Sequence, residues 1–428
     1  MNRKSYVLIL ILSGLILSAL IFRNGELLLL ASIFLVYLLF GVAQTPGNIS
    51  LEASRDITMP GITTGESVEL ILTIRNQGGE LKNLCLQDPL FPGMTVLEGF
   101  PNQRTALAAG ETTRLNYKIT ASRGIYTWKT MRAVASDPLG LFEYEMEIPA
   151  SGTLMVRPDP PPIRPIQLRP KATLPTAGPI AARKAGSGTD FWGIREYHAG
   201  DSLRRINWHW TARNPRKLFT NEFEREEIAD YGLILDARRL TSSEEVENAI
   251  FEHSVNAAAA LGKNFLRNGN RVSLLVYGKH VRTAFPGYGK HQRDKLLRQL
   301  AGAKLSEEFP FTSIDSFPTK LFPARSFLVI FSIYDDRDRL TYAQLRSHGY
   351  SVLLISPDPI DFTAGILPDT KVNSLAARAA RIERVFHFNC LLKLGINVID
   401  WQVDEPLEPL IRKTSSWRNT GRINREIT

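Results

Sequence analysis

IADYGLILDARRLTSSEEVENAIFEHSVNAAAALGKNF, residues 228–265, reads as two consecutive elements of different period. Ile228 to Asp236 is an apolar run of strand length with no polar alternation, the pattern of a strand buried on both faces. Ser242-Ser-Glu-Glu245 then has the spacing of a capping box, and Val246, Ile250, Ala257, Leu261 and Phe265 recur on one face of the helix it opens. A buried strand followed by an amphipathic helix is the unit from which parallel sheets are built.

The same alternation continues downstream. Arg271 to Tyr277 and His280 to Ala284 flank a Gly278-Lys279 turn and predict a strand hairpin. A helix near 292–300, a strand at 326–333, a helix from Thr341, a strand at 351–356, a helix near 373–394 and a strand at 397–401 follow. Residues 228–428 are therefore expected to form an α/β domain with a mostly parallel sheet covered by helices on both faces. Ligands in such sheets bind beyond the carboxyl ends of the strands.

Immediately upstream, residues 186–227 are dense in charge and aromatics: GSGTDFWGIREYHAGDSLRRINWHWTAR, then a Glu-rich run from Glu222 to Glu227. Asp201 is placed to cap a helix over Ser202 to Thr211, with Leu203, Ile206, Asn207 and Trp210 on one face. That stripe predicts docking on a neighbouring core. Arg195, Glu196, Asp201, Arg204, Arg205, Trp208, His209 and Arg213 are the candidate partner-binding residues, because guanidiniums interleaved with carboxylates suit bidentate pairing. Arginine with aromatics also grips single-stranded nucleic acid, but the neighbouring carboxylates repel a phosphate backbone, so nucleic acid is not the expected partner.

Farther upstream, residues 159–185 are proline-rich and predict an extended linker. Residues 49–158 carry short alternating runs such as Ser67 to Ile74 and Arg114 to Thr120, bounded by Asn76-Gln-Gly-Gly and Phe91-Pro-Gly turns. That spacing predicts an antiparallel β-sandwich of immunoglobulin-like size, a spacer or interaction module without a constellation of catalytic residues.

Tyr6 to Phe22 and Leu27 to Ala43 are apolar runs of 17 residues each, separated by Arg23-Asn24-Gly-Glu26. Each reaches roughly 25 Å as a helix, so residues 1–45 predict a two-span membrane hairpin rather than a signal peptide followed by a core helix. Arg3 and Lys4 precede the first span, and positive charge is retained in the cytoplasm. The expected location is the cell membrane, crossed twice, with the bulk of the chain cytoplasmic. Two cysteines, Cys85 and Cys390, in separate domains predict free thiols. The whole chain has 428 residues, 44% hydrophobic, and a formal charge of +9 from 52 basic and 43 acidic residues. These values exclude wholesale disorder but do not choose a partner.

The order of elements from Ile228 resembles the von Willebrand factor A fold. The Gly186 to Arg213 segment, with Arg123-Gly-Ile-Tyr and Asp137-Pro-Leu-Gly-Leu-Phe in the sandwich, is similar to the prokaryotic family known as domain of unknown function 58. The resemblance covers essentially the whole chain, hairpin included. It implies a membrane-anchored protein that assists a MoxR-type AAA ATPase in assembly or chaperone-like work.

An A domain of the metal-binding kind would hold Mg²⁺ through D-x-S-x-S after the first strand, with a Thr and an Asp from later loops. Here Asp236 is followed by Arg238 and Leu240 at the hydroxyl positions. Thr312 and Asp335 or Asp336 are the remaining candidates, too few for six oxygen ligands, and pairing of Asp236 with Arg238 or Arg239 is expected instead. G-x-S-x-G, H-E-x-x-H and Walker A motifs are absent from the sequence. The expectation is a non-enzymatic scaffold or adaptor without a cofactor. The competing reading is a Mg²⁺-dependent ligand-binding domain or enzyme using Asp236, Thr312 and Asp335.

Overall fold

In the computed structural model, residues 3–166, 168, 180–214, 216–239, 244–278, 281–306, 321–324, 326–366 and 370–415 are described. The chain divides into two units, Met1–Arg157 and Pro158–Thr428.

The first unit opens with α1 (Arg3–Phe22) and α2 (Gly25–Ala43), joined by a turn in which Asn24 Oδ1 accepts from Glu26 N at 2.9 Å. Lys4–Phe22 and Gly25–Ala43 are each long and apolar enough to cross a membrane. Two sheets follow. One joins β1 (Leu51–Ile57), β3 (Ser67–Asn76), β7 (Thr112–Ala121) and β5 (Met94–Gly99) in that order, all antiparallel. The other joins β2 (Gly61–Thr63), β9 (Glu143–Arg157), β8 (Gly124–Ser136), β4 (Leu81–Gln87) and β6 (Asn102–Leu107). Only the short β2 edge runs parallel to its neighbour among these pairs.

Alternate residues of both sheets, including Leu70, Leu72, Leu84, Trp128 and Leu154, enclose one core, as the alternation predicts. Buried beside that core is an ion pair between Arg55 and Asp88. Tyr117 Oη also donates to Asp88, and the guanidinium lies 4.9 Å from the Trp128 ring centre.

The second unit contains a six-stranded sheet in the order β14 (Arg282–Gly287), β13 (Arg271–Tyr277), β12 (Asp230–Asp236), β15 (Phe327–Phe331), β16 (Ser351–Pro357) and β17 (Asn397–Trp401). Only β14 is antiparallel to its neighbour. On β12, Leu233 and Leu235 face a core shared with α4 (Glu244–Arg267) and α5 (Gly289–Ala301). Ile234 faces a second core containing Tyr342 and Leu345 of α6 (Arg339–Ser347) and Phe388 and Leu391 of α8 (Lys371–Lys393). Helices thus cover both faces. Gly232 is required in mid-strand, since a Cβ there would lie 2.4 Å from Phe322 and 2.6 Å from Leu328. Two helices were not anticipated, α7 (Pro359–Ile366) and α9 (Leu407–Ser415). The expected capping residues Ser242 and Ser243 lie outside the described residues.

Two expectations about residues 159–227 need correction. The described start of the proline-rich segment, residues 159–166 and 168, packs against the α/β unit rather than running free. Ile163, Ile166 and Leu168 pack on the α/β core, and Asn264 Nδ2 donates to the carbonyls of Ile163 and Arg164 at 3.1 and 3.0 Å. At residues 163, 164 and 166 the backbone is thus satisfied by a helix side chain, Asn264 Oδ1 also accepting from Ile166 N at 3.1 Å. From Ile180 the chain enters β10 (Ile180–Glu196), which pairs antiparallel with β11 (Phe219–Glu227) as a two-stranded ribbon.

The predicted Ser202–Thr211 helix is also absent. A single 3-10 turn, Leu203–Arg205, is followed by extended Ile206, which bridges Thr220, and then by the short α3 (Trp208–Arg213). Asn207, whose Oδ1 accepts from Trp210 N at 3.0 Å, caps α3. Asp201 caps nothing here.

Candidate functional site

The sheet order reverses between β12 and β15, because β12 connects through α4 to β13 on one side while β15, β16 and β17 extend on the other. The crevice at the carboxyl ends of these strands is where a ligand is expected. Asp236 ends β12, and Ser332 follows β15.

The crevice already holds a cation, and it belongs to the chain. Arg238 Nε donates to Asp236 Oδ1 at 2.9 Å and its Nη2 to Asp236 Oδ2 at 2.7 Å. The same guanidinium donates from Nη1 to Asp338 Oδ1 at 3.0 Å and from Nη2 to Asp338 Oδ2. Ser332 Oγ completes the set with a 2.6 Å bond to Asp236 Oδ2. Burial opposes the charge on Arg238, but its bonds to Asp236 and then Asp338 outweigh that and hold its pKa above the ordinary arginine range. Burial likewise raises the Asp338 carboxyl, opposed by Arg238. The guanidinium also lies 5.3 Å from the Tyr277 ring centre. Beside this cluster remains a cavity of about 20 Å³, lined by Glu247, Phe251, Ser254, Leu305 and Pro357 among others.

The expected pairing of Asp236 with Arg238 is therefore present. Asp335, the third-loop metal candidate, is elsewhere: it caps the turn at Asp336–Asp338 and accepts from Arg337 N and Nε, each at 2.9 Å. Those bonds lower its pKa. Asp338, one turn later, is the carboxylate that reaches Asp236 through the guanidinium. Thr312 lies outside the described residues. Among the described residues, no three His, Cys, Asp or Glu side chains are grouped to hold a metal ion. The donor set does not fit Mg²⁺, because a permanently charged guanidinium occupies the space between its two carboxylates.

The partner-binding candidates divide into a brace and a surface. Arg195, near the end of β10, is bidentate to Asp201 at 2.7 and 2.8 Å, and its Nε donates to Glu222 of β11 at 2.8 Å. Asp201 Oδ2 also accepts from His198 N at 2.9 Å. The Arg195 bond, followed by that from His198, lowers the Asp201 pKa from 3.8 to about 2. Glu196 pairs with Lys217. These residues hold the turn against the ribbon.

Arg205 lies 5.1 Å from the Phe223 ring centre, and its carbonyl accepts from Thr220 Oγ1 at 3.2 Å. Arg204, Trp208, His209 and Arg213 are exposed. The apolar stripe expected to dock is mostly outside: Leu203 is 69% and Trp210 44% exposed, and only Ile206, at 8%, is buried. Phe191 and Trp192, which the sequence reading did not select, add to the exposed aromatics. Their surroundings gave no periodic signal, since β10 is irregularly paired across this stretch.

The described architecture is that of an α/β unit preceded by a β-sandwich and two apolar helices, with its sheet crevice closed by its own arginine. Residues 193–316 match the family described as "Protein of unknown function DUF58". None of the curated proteins matches the chain. Among solved structures, a CARDB domain of a Pyrococcus furiosus protein, in complex with di-metal ions, is 15% identical over 26% of this chain and 91% of its own, at a TM-score of 0.19. A FixG-related protein from Vibrio parahaemolyticus is 13% identical over 25% and 95%, at 0.17. The β-glucosidase EmGH1 from Erythrobacter marinus is 14% identical over 24% of this chain and 15% of its own, at 0.13. Likenesses this slight bear on neither fold nor function.

Proposed function

We propose that this chain is a membrane-anchored, non-enzymatic adaptor whose α/β unit, von Willebrand factor A-like in kind, binds a protein partner in the cytoplasm. The sandwich, of immunoglobulin-like type, serves as its spacer. The observation that carries the reading is the exposed set Trp192, Leu203, Arg204, Trp208 and Trp210 on a segment braced by Arg195, Asp201 and Glu222. Tryptophan and arginine dominate binding energy at protein interfaces, and a braced segment loses little further entropy on binding. The internal ion pairing of Arg238 supports a crevice used for architecture rather than metal chemistry. By family resemblance, the partner is a MoxR-type AAA ATPase.

The test is capture of that ATPase by the full chain in detergent. Arg204→Glu with Trp208→Ala changes exposed side chains, so melting should stay within about 0.5 kcal/mol of wild type while capture is lost. Retained capture with unchanged melting would overturn the assignment of this surface. Saturable Mg²⁺ binding below roughly millimolar that requires Asp236 would overturn the metal-free reading.

A further inference from the structure

Helix α8 has apolar residues on two opposite faces. Phe388 and Leu391 are fully buried against the sheet, and Arg384 on the same side donates to Asp400 at 3.0 Å. On the other side Val372, Leu375, Ile382 and Phe386 are each more than 60% exposed. With Ala379 they recur at intervals of three, four, three and four residues, the spacing of the first and fourth positions of a heptad over two repeats. Such a stripe has the spacing of the seam of a two-stranded helical pair, and no described residue covers it.

We propose that this stripe joins two copies of the chain through parallel, in-register α8 helices. Charge at its edges selects the second copy as occupant. With Val372 at the first heptad position, Arg378 falls at the seventh position and Glu383 at the fifth of the next repeat. These are the positions that meet across a parallel pair, so Arg378 of each copy faces Glu383 of the other, twice by symmetry. Neither side chain has an ion pair among the described residues.

An anionic lipid surface is the less suitable occupant. Glu383 would be pressed against it, while the nearby cations Arg381 and Arg384 are engaged by Asp361 and Asp400. The seam from Val372 to Phe386 spans roughly 21 Å, and two heptads alone associate weakly. Confinement of anchored copies to one membrane supplies the effective concentration it needs.

Cysteine cross-linking of the full chain in its membrane tests this, in a Cys85→Ser, Cys390→Ser background. Leu375→Cys and Ile382→Cys should each give an oxidised dimer, with about tenfold less for Ser374→Cys, whose side chain lies off the seam. Arg378→Glu should lower the yield about tenfold, and Arg378→Glu with Glu383→Arg should restore it. Ser374, Leu375, Arg378, Ile382, Glu383 and Phe386 are exposed, whereas Cys85 and Cys390 are half-buried, so an unchanged circular dichroism melt of the cysteine-free background and of each variant verifies folding. Cross-linking only between Leu375→Cys and Phe386→Cys chains would establish an antiparallel pair and overturn the register. Absence of dimer would overturn the pairing, whether a bilayer shields the stripe from an impermeant thiol reagent or the stripe labels freely.

Discussion

Removing the guanidinium from the crevice should destabilise the α/β unit and create an affinity it lacks. In Arg238→Ala, four charge-assisted bonds disappear, two to Asp236 and two to Asp338, while the backbone bond from residue 238 to Asp236 Oδ1 remains available. Such bonds contribute about 1.5–3 kcal/mol each in isolation, but they share one group and are not additive. The better guide is the loss of one partner from a buried pair, about 3–5 kcal/mol. At 16% exposure the Arg238 side chain is partly screened, which favours the lower end, about 3 kcal/mol.

For a unit of this size, that corresponds to roughly 6–12 °C in melting temperature. Differential scanning calorimetry of the full chain in detergent reads it. Two carboxylates and the Ser332 hydroxyl are then left facing one vacated space, so millimolar Mg²⁺ or Ca²⁺ should raise the melting temperature of the variant and leave the wild type unmoved. Arg238→Lys should recover only part of the loss, because an ammonium cannot fork between two carboxylates. A melting temperature for Arg238→Ala within about 1 °C of wild type would refute the argument that the guanidinium holds these loops.

Three other outcomes follow from the same physics. Ile206→Ala should cost about 2–4 kcal/mol because Ile206 is buried, whereas Trp210→Ala should cost under about 1 kcal/mol because Trp210 is 44% exposed; urea unfolding followed by tryptophan fluorescence in both variants separates them. The Asp201 carboxyl should titrate near about 2 by NMR and return towards 3.8 in Arg195→Ala, so its contribution to stability is present above about pH 4 and is lost as pH falls through about 2. In a Cys-free background, Asn24→Cys should react with an impermeant thiol reagent in intact cells and Ser50→Cys should not; the opposite pattern would invert the proposed topology.

The elements legible in the sequence are those whose periodicity has one explanation. Each parallel strand of the α/β sheet is a short, largely buried apolar run, and α1 and α2 are apolar all round, so a local window sufficed. Residues 202–211 had a periodicity with two explanations. Leu203, Ile206 and Trp210 fit a helical face, yet Asn207 competes for the backbone by capping the next turn, and Ile206 gains a bridge to Thr220 that a helix would forbid. The decisive partner was β11, too far along the chain for a helical window to include.

The same limit explains the crevice. Asp335, closest to the expected loop position, is claimed by Arg337 two residues away, which leaves Asp338 to meet an arginine 100 residues upstream. A helical turn between them aims these carboxylates differently, and sequence position alone ranks them in the wrong order. Helix α8 extends the argument to the surface. Its heptad stripe is visible in the sequence, but a stripe is ambiguous until the opposite face is known to be occupied. Because Phe388, Leu391 and Arg384 already satisfy the sheet, Val372, Leu375, Ile382 and Phe386 cannot serve that core as well, which is why the stripe is assigned to the proposed pairing of two copies.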